Sequence, residues 1–176
     1  MTYDTLYMGT THRHNQLGFA LNASLLDYIK NGKLTTLQEN VSLVHYGKKG
    51  RGDILQLIQI KDSNISEITD IINDLEIIQP DFCVFHTNHF ITNKKRTRFA
   101  GIPDLVVEIW SDSNSKLEKE IKYNLYAESG TEHWYIEQDS NKITCCFGNN
   151  QLQEQTISDI IVDQSGYKYD LRYLAL

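Results

Sequence analysis

The chain has 176 residues, 40% of them hydrophobic and 23% charged, and carries a net charge of −6 at neutral pH. That length fits a single domain, 1–176, with a full hydrophobic core, and the balance excludes a disordered or fibrous chain. A negative total speaks against general affinity for polyanions, although patches of charge govern binding more than sums do.

The stretch MTYDTLYMGTTHRHNQ has no charged start followed by an apolar run, so no signal peptide is expected. No segment approaches the roughly 20 apolar residues of a membrane span, so no membrane partner is expected either. The three cysteines, Cys83, Cys145 and Cys146, are odd in number and two are adjacent, which argues against a disulfide framework. A reducing, cytoplasmic location follows.

In chain order, Thr10 or Thr11 can cap a helix over 12–30, in which Leu17, Leu21, Leu25 and Tyr28 recur at helical spacing and Asn31-Gly32 ends the run. Two strand-like runs, NVSLVHY and DILQLIQI, flank the basic, turn-forming GKKGRGD and read as a hairpin. In SNISEITDIINDLEII the apolar residues fall at helical intervals, yet their β-branching suits a strand equally. QPDFCVFH reads as a strand opened by Pro80, and the basic loop TNKKRTR joins it to the apolar GIPDLVVEIW.

After Trp110 the spacing predicts a firm helix, with Ser115 and Glu118 at capping-box separation and Gly130 just past its end. Leu117, Ile121 and Leu125 are its expected core stripe, and Lys119, Lys122 and Tyr126 form the neighbouring ridge. EHWYIEQ and KITCCFG around DSN predict a second hairpin, and TISDIIVD and YDLRYLAL complete the chain.

GIPDLVVEIW carries acids where burial is expected. In an extended chain Asp104, Val106 and Glu108 point one way and Leu105, Val107 and Ile109 the other. An ionised carboxylate in a dry interior needs a positive partner. Pro-Asp also occurs at Pro80-Asp81, and if the two strands are neighbours Asp81 stands beside Glu108. Paired carboxylates repel, so one takes up a proton unless a divalent cation fills the gap. Ligation by oxygen alone suits Mg²⁺ or Mn²⁺. A lysine at the same gap holds an anionic substrate or orients an attacking water, and Lys122 is the candidate.

The run PDLVVEIWSDSNS…KLEKEIKYNLYAESGTEHWYIE is similar to a large bacterial family of restriction-endonuclease-like proteins within the PD-(D/E)xK nuclease superfamily. Pro103 to Ser113, Lys122 to Gly130 and Glu132 to Trp134 carry the likeness, QPDFCVF resembles the family's other motif strand, and THRHNQLGFALNASLLDYI resembles its first helix. The resemblance implies an α/β, restriction-endonuclease-like fold, a mixed β-sheet flanked by helices. It also implies metal-dependent cleavage of nucleic acid phosphodiesters, DNA above all, with Mg²⁺ or Mn²⁺ as cofactor. Enzymes of this kind often act as dimers, so a homodimer is compatible with it.

Carried over, Asp81 and Glu108 become the metal-binding catalytic acids and Lys122 the catalytic lysine; Asp104, outside that correspondence, is a further candidate as a metal ligand or a group supporting one. The superfamily's usual lysine stands two residues after the second acid, where this chain has Trp110. Asp112 replaces a customary proline, and the first helix has no acid before Asp27. These departures leave a second hypothesis, a catalytically inactive nucleic-acid-binding or assembly module that keeps the nuclease fold. The structural alternatives are a buried ion pair for Glu108, a turn cap for Asp81, a strand-entry residue for Asp104 and an edge lysine for Lys122. Two basic clusters, Lys48, Lys49, Arg51 and Lys94, Lys95, Arg96, Arg98, are the expected grips for phosphates. His12 with His14, and His86 with His89, have spacings that hint at zinc, a weak signal without cysteine pairs or H-E-x-x-H.

Overall fold

The computed structural model describes residues 12–38, 43–46, 76–87, 89–92, 98–147 and 151–176, with backbone alone at 43–46, 76–78, 91–92, 98 and 100. The helix expected over 12–30 forms as two pieces, α1 (His12–Ser24) and α2 (Leu26–Lys30), parted at Leu25. Leu17, Leu21 and Leu25 are buried as their spacing predicts, whereas Tyr28 is exposed. Gly32, at φ 67°, turns the chain out of α2 into β1 (Leu34–Gln38).

The other strands are β2 (Leu43–Tyr46), β3 (Glu76–Ile78), β4 (Phe82–His86), β5 (Phe90–Thr92), β6 (Arg98–Gly101), β7 (Leu105–Trp110), β8 (Glu132–Glu137), β9 (Lys142–Cys146), β10 (Leu152–Thr156), β11 (Ile160–Val162) and β12 (Lys168–Asp170). The central sheet runs β1-β4-β7-β8-β9-β10. All its pairs are antiparallel except β7 and β8, which lie parallel. A parallel neighbour requires a crossover, and α3 (Lys116–Ser129) supplies it. A second sheet runs β3-β2-β6-β5, and β11 pairs with β12. Of the first expected hairpin, the second run lies outside the described residues, and β2 pairs instead with β3 and β6. Only the end of the ambiguous 63–78 run is described, as strand β3.

Strand alternation sorts the core into two faces. Leu105, Val107 and Ile109 pack with Leu17, Leu21, Phe82, Val84, Trp134 and Ile136 on the α1 side. Val106 packs with Cys83, Phe85, Phe99 and Tyr126 on the α3 side, the face to which Glu108 belongs. Arg13 anchors α1 by donating to the carbonyls of Gln138 and Leu174. The α/β, mixed-sheet architecture expected from the sequence is the one observed.

The caps of α3 form as expected: Ser115 accepts from the Glu118 amide, and Gly130 closes the helix at φ 71°. Its buried face is not the expected one. Leu117 and Ile121 are 66% and 57% exposed, Leu125 is only partly buried, and Lys122 and Tyr126 turn inward. Exposing Leu117 and Ile121 forgoes about 1.5–3 kcal/mol each, a sum comparable to the cost, about 3–5 kcal/mol, of an ionised interior Glu108 without a cation. The burial of the Tyr126 ring and its hydrogen bond to Glu108 add to the side of the observed rotation.

Candidate active site

Glu108 has no exposed surface. Its Oε2 accepts from Lys122 Nζ at 2.6 Å, and its Oε1 accepts from the Tyr126 hydroxyl. Lys122 and Tyr126 stand one helical turn apart on α3, so a single helix face serves both oxygens. Burial pushes the Glu108 carboxyl up to about 7; Lys122 and Tyr126 oppose that shift, and Asp81 adds to it. Burial draws the Lys122 ammonium down, but the Glu108 carboxylate outweighs it and holds the pKa above its ordinary value.

In the β4–β7 register Phe82 faces Val107, so one step outward sets Asp81 opposite Glu108. Asp81 Oδ2 accepts the Ile109 amide at 2.6 Å, and its Oδ1 lies 3.3 Å from His14 Nε2. The strand end thus holds two carboxylates, the ammonium of Lys122 and an imidazole from α1. Trp110, where the superfamily's lysine usually stands, stacks on Tyr135 with ring centroids 4.0 Å apart, and Lys119 lies 4.8 Å from its ring. The ammonium therefore reaches Glu108 from the helix.

Asp104 belongs to the other end of the same strand pair. Its Oδ2 accepts the His86 amide at 2.7 Å, and its Oδ1 lies 3.0 Å from His89 Nδ1. Lys48, Lys49, Arg51, Lys94, Lys95 and Arg96 lie outside the described residues, and Arg98 opens β6. Sequence reasoning missed two contributors. Tyr126 was legible as the residue one turn beyond Lys122, whereas His14 was visible only as half of a weak zinc pattern.

The carboxylates of Asp81 and Glu108 are oxygen donors, the kind a hard divalent ion takes. Asp81 and Glu108 bring them to one strand end beside the ammonium of Lys122, and the Glu108 pKa, raised chiefly by burial, carries a smaller upward contribution from Asp81.

Residues 60–166 match the Uma2 family, described as "Putative restriction endonuclease". The chain belongs to this family. The Uma2 match spans Asp81, Asp104, Glu108 and Lys122, whereas His14 precedes it. Among solved structures the fold is similar to one titled "a putative nuclease belonging to DUF820" from Anabaena variabilis, with a TM-score of 0.63. The two are 13% identical over 94% of this chain and 81% of that one, a likeness of fold. No curated protein matches the chain.

Proposed function

We propose that this Uma2 protein is a metal-dependent nuclease that hydrolyses phosphodiester bonds of nucleic acid, with DNA as its substrate. The observation that carries the reading is the convergence of Asp81, Glu108 and Lys122, from three separate elements, at one end of the β4–β7 pair. Asp81 and Glu108 would hold Mg²⁺ or Mn²⁺, which when bound supplies Lewis acidity toward a phosphate oxygen and acidifies a water.

The chain's own groups do the rest. The Ile109 amide fixes the Asp81 carboxylate, and Tyr126 fixes that of Glu108. Lys122, held by Glu108, presents an ammonium that attracts the phosphate and orients the attacking water. Water adds to phosphorus, the bond from phosphorus to one sugar oxygen breaks, and that oxygen leaves with a proton. Lys48, Lys49, Arg51, Lys94, Lys95, Arg96 and Arg98 are the proposed phosphate grips along the backbone. The three free, buried cysteines suit a reducing cytoplasm, and among the described residues no helix is long and apolar enough to cross a membrane.

One observation favours a second reading, a module that keeps the fold without catalysis: Glu108 is fully buried, and both its oxygens already accept hydrogen bonds. Incubation with supercoiled plasmid and with single-stranded RNA, in Mg²⁺, Mn²⁺ or chelator, separates the two. Metal-dependent plasmid cleavage supports the nuclease, RNA cleavage alone reassigns its substrate, and inert protein that still retards DNA in a gel supports the module.

A further inference from the structure

We propose that His86, His89 and Asp104 form a second metal site, distinct from the Asp81–Glu108 pair, for a borderline divalent transition ion such as Zn²⁺. One donor atom from each of the three lies within 4.8 Å of the others. His89 Nδ1 is 3.0 Å and His86 Nδ1 3.7 Å from the same Asp104 Oδ1. Ligands at zinc bond lengths in a tetrahedral shell stand about 3.3 Å apart, so these separations straddle the required value. Two imidazoles with one carboxylate are donors that zinc-like ions accept, whereas Mg²⁺ favours oxygen alone.

The backbone holds the three donors in place. Asp104 Oδ2 takes the His86 amide at 2.7 Å, both carboxylate oxygens lie against His89 Nδ1, at 3.0 and 3.1 Å, and the Asp104 amide donates to the Val84 carbonyl at 2.8 Å. The turn itself is closed by His89 N to His86 O at 3.0 Å and tethered by Thr87 N to Lys33 O at 3.1 Å. Gly101 passes so close that a Cβ there would stand 2.5 Å from the His89 carbonyl oxygen. The histidine side chains are 28% and 37% exposed, which leaves access for an ion and for water completing its shell.

A proton shared by His89 and Asp104 accounts for the shorter contact but not for His86. That ring stands too far from Asp104 for a hydrogen bond, and its Nε2 is buried without a hydrogen-bond partner. Its ring rests edge-on against Tyr167, with centroids 5.6 Å apart. An ion on Nδ1 would give that nitrogen the partner that Asp104, at 3.7 Å, does not supply, and would leave Nε2 as it is. It would also staple the central sheet, through β4 and the entry to β7, to the second sheet through the turn that leads into β5.

The test needs no nuclease activity. Chelator-stripped protein in Mg²⁺ buffer is titrated with Zn²⁺ by calorimetry and melted with and without it. Wild type should bind one equivalent that raises Tm, and Asp81→Asn should do the same. His86→Ala should lose the equivalent. His89→Gln, which retains a hydrogen bond to Asp104, should melt like wild type in chelator yet lose the Zn²⁺-induced rise. No Zn²⁺ uptake by wild type, undiminished uptake by His86→Ala and His89→Gln, or loss of uptake in Asp81→Asn would each overturn the proposal.

Discussion

The ammonium of Lys122, on the crossover helix α3, lies 2.6 Å from Oε2 of Glu108 in the adjoining strand β7. The helix hides a lysine and leaves two large apolar side chains in water, so this pair, together with the buried Tyr126, sets how α3 is rotated against the sheet.

Removing the lysine should be costly only while Glu108 is ionised. Lys122→Met is expected to lose about 3 kcal/mol at pH 8, and less at pH 5, where Glu108, already raised to about 7, holds a proton and needs no cation. Adding Glu108→Gln should recover much of the loss, giving a non-zero coupling in a double-mutant cycle. Denaturant melts at the two pH values check this, and equal losses at both would contradict it.

The rotated face of α3 has its own signature. Leu117→Lys and Ile121→Lys should each stay within about 0.5 kcal/mol of wild type. Tyr126→Ala should cost about 3–5 kcal/mol, and Tyr126→Phe, which strips only the hydroxyl from Glu108, about 1–3 kcal/mol. Marked destabilisation by the two lysine variants would restore the stripe that periodicity predicts.

Much of this was legible in the sequence. The alternation of Leu105 to Ile109, the caps Ser115 and Gly130, and the neighbouring of Asp81 and Glu108 all follow from strand period, turn chemistry and the repeated Pro-Asp. The face of α3 was not, because periodicity marks which residues share a side and is silent about a buried acid across the interface. Asp104 misled for a related reason. Alternation gives it the parity of Glu108, but it precedes β7 at the far end, where local backbone bonds and two histidines claim it. Contacts such as His14 with Asp81, far apart in sequence, leave no local pattern.

Asp81→Asn should melt higher than wild type in chelator, by roughly 1 kcal/mol, because it relieves repulsion with Glu108 while its amide oxygen can still accept from Ile109 N. In excess Mg²⁺ the order should narrow or reverse, since binding stabilises only the protein that keeps the ligand. A lower melt in chelator, with neither protein shifted by Mg²⁺, would make Asp81 a structural cap.

Glu108 and Glu132 both carry carboxyls raised from an ordinary 4.5 to about 7, chiefly by burial. Each binds its proton more tightly in the folded state, so its contribution is full below about 4.5 and is lost as pH rises through about 7. Metal-free Tm should therefore fall between pH 5 and pH 8. Glu132→Gln, whose single amide oxygen can accept from only one of Trp134 Nε1 and the Gln164 amide, should melt lower overall but flatten that fall. A Tm that rises over this range, or a variant that parallels wild type, would contradict the burial argument.

The Asp81–Glu108 pair as the catalytic metal centre is tested most directly by plasmid nicking with purified wild type, Asp81→Ala and Glu108→Gln, each verified as folded by circular dichroism. Wild type is expected to cut in Mg²⁺ and not in chelator, and both variants are expected to lose cutting in Mg²⁺. Cutting by Glu108→Gln at the wild-type rate, or by wild type in chelator, would contradict the assignment.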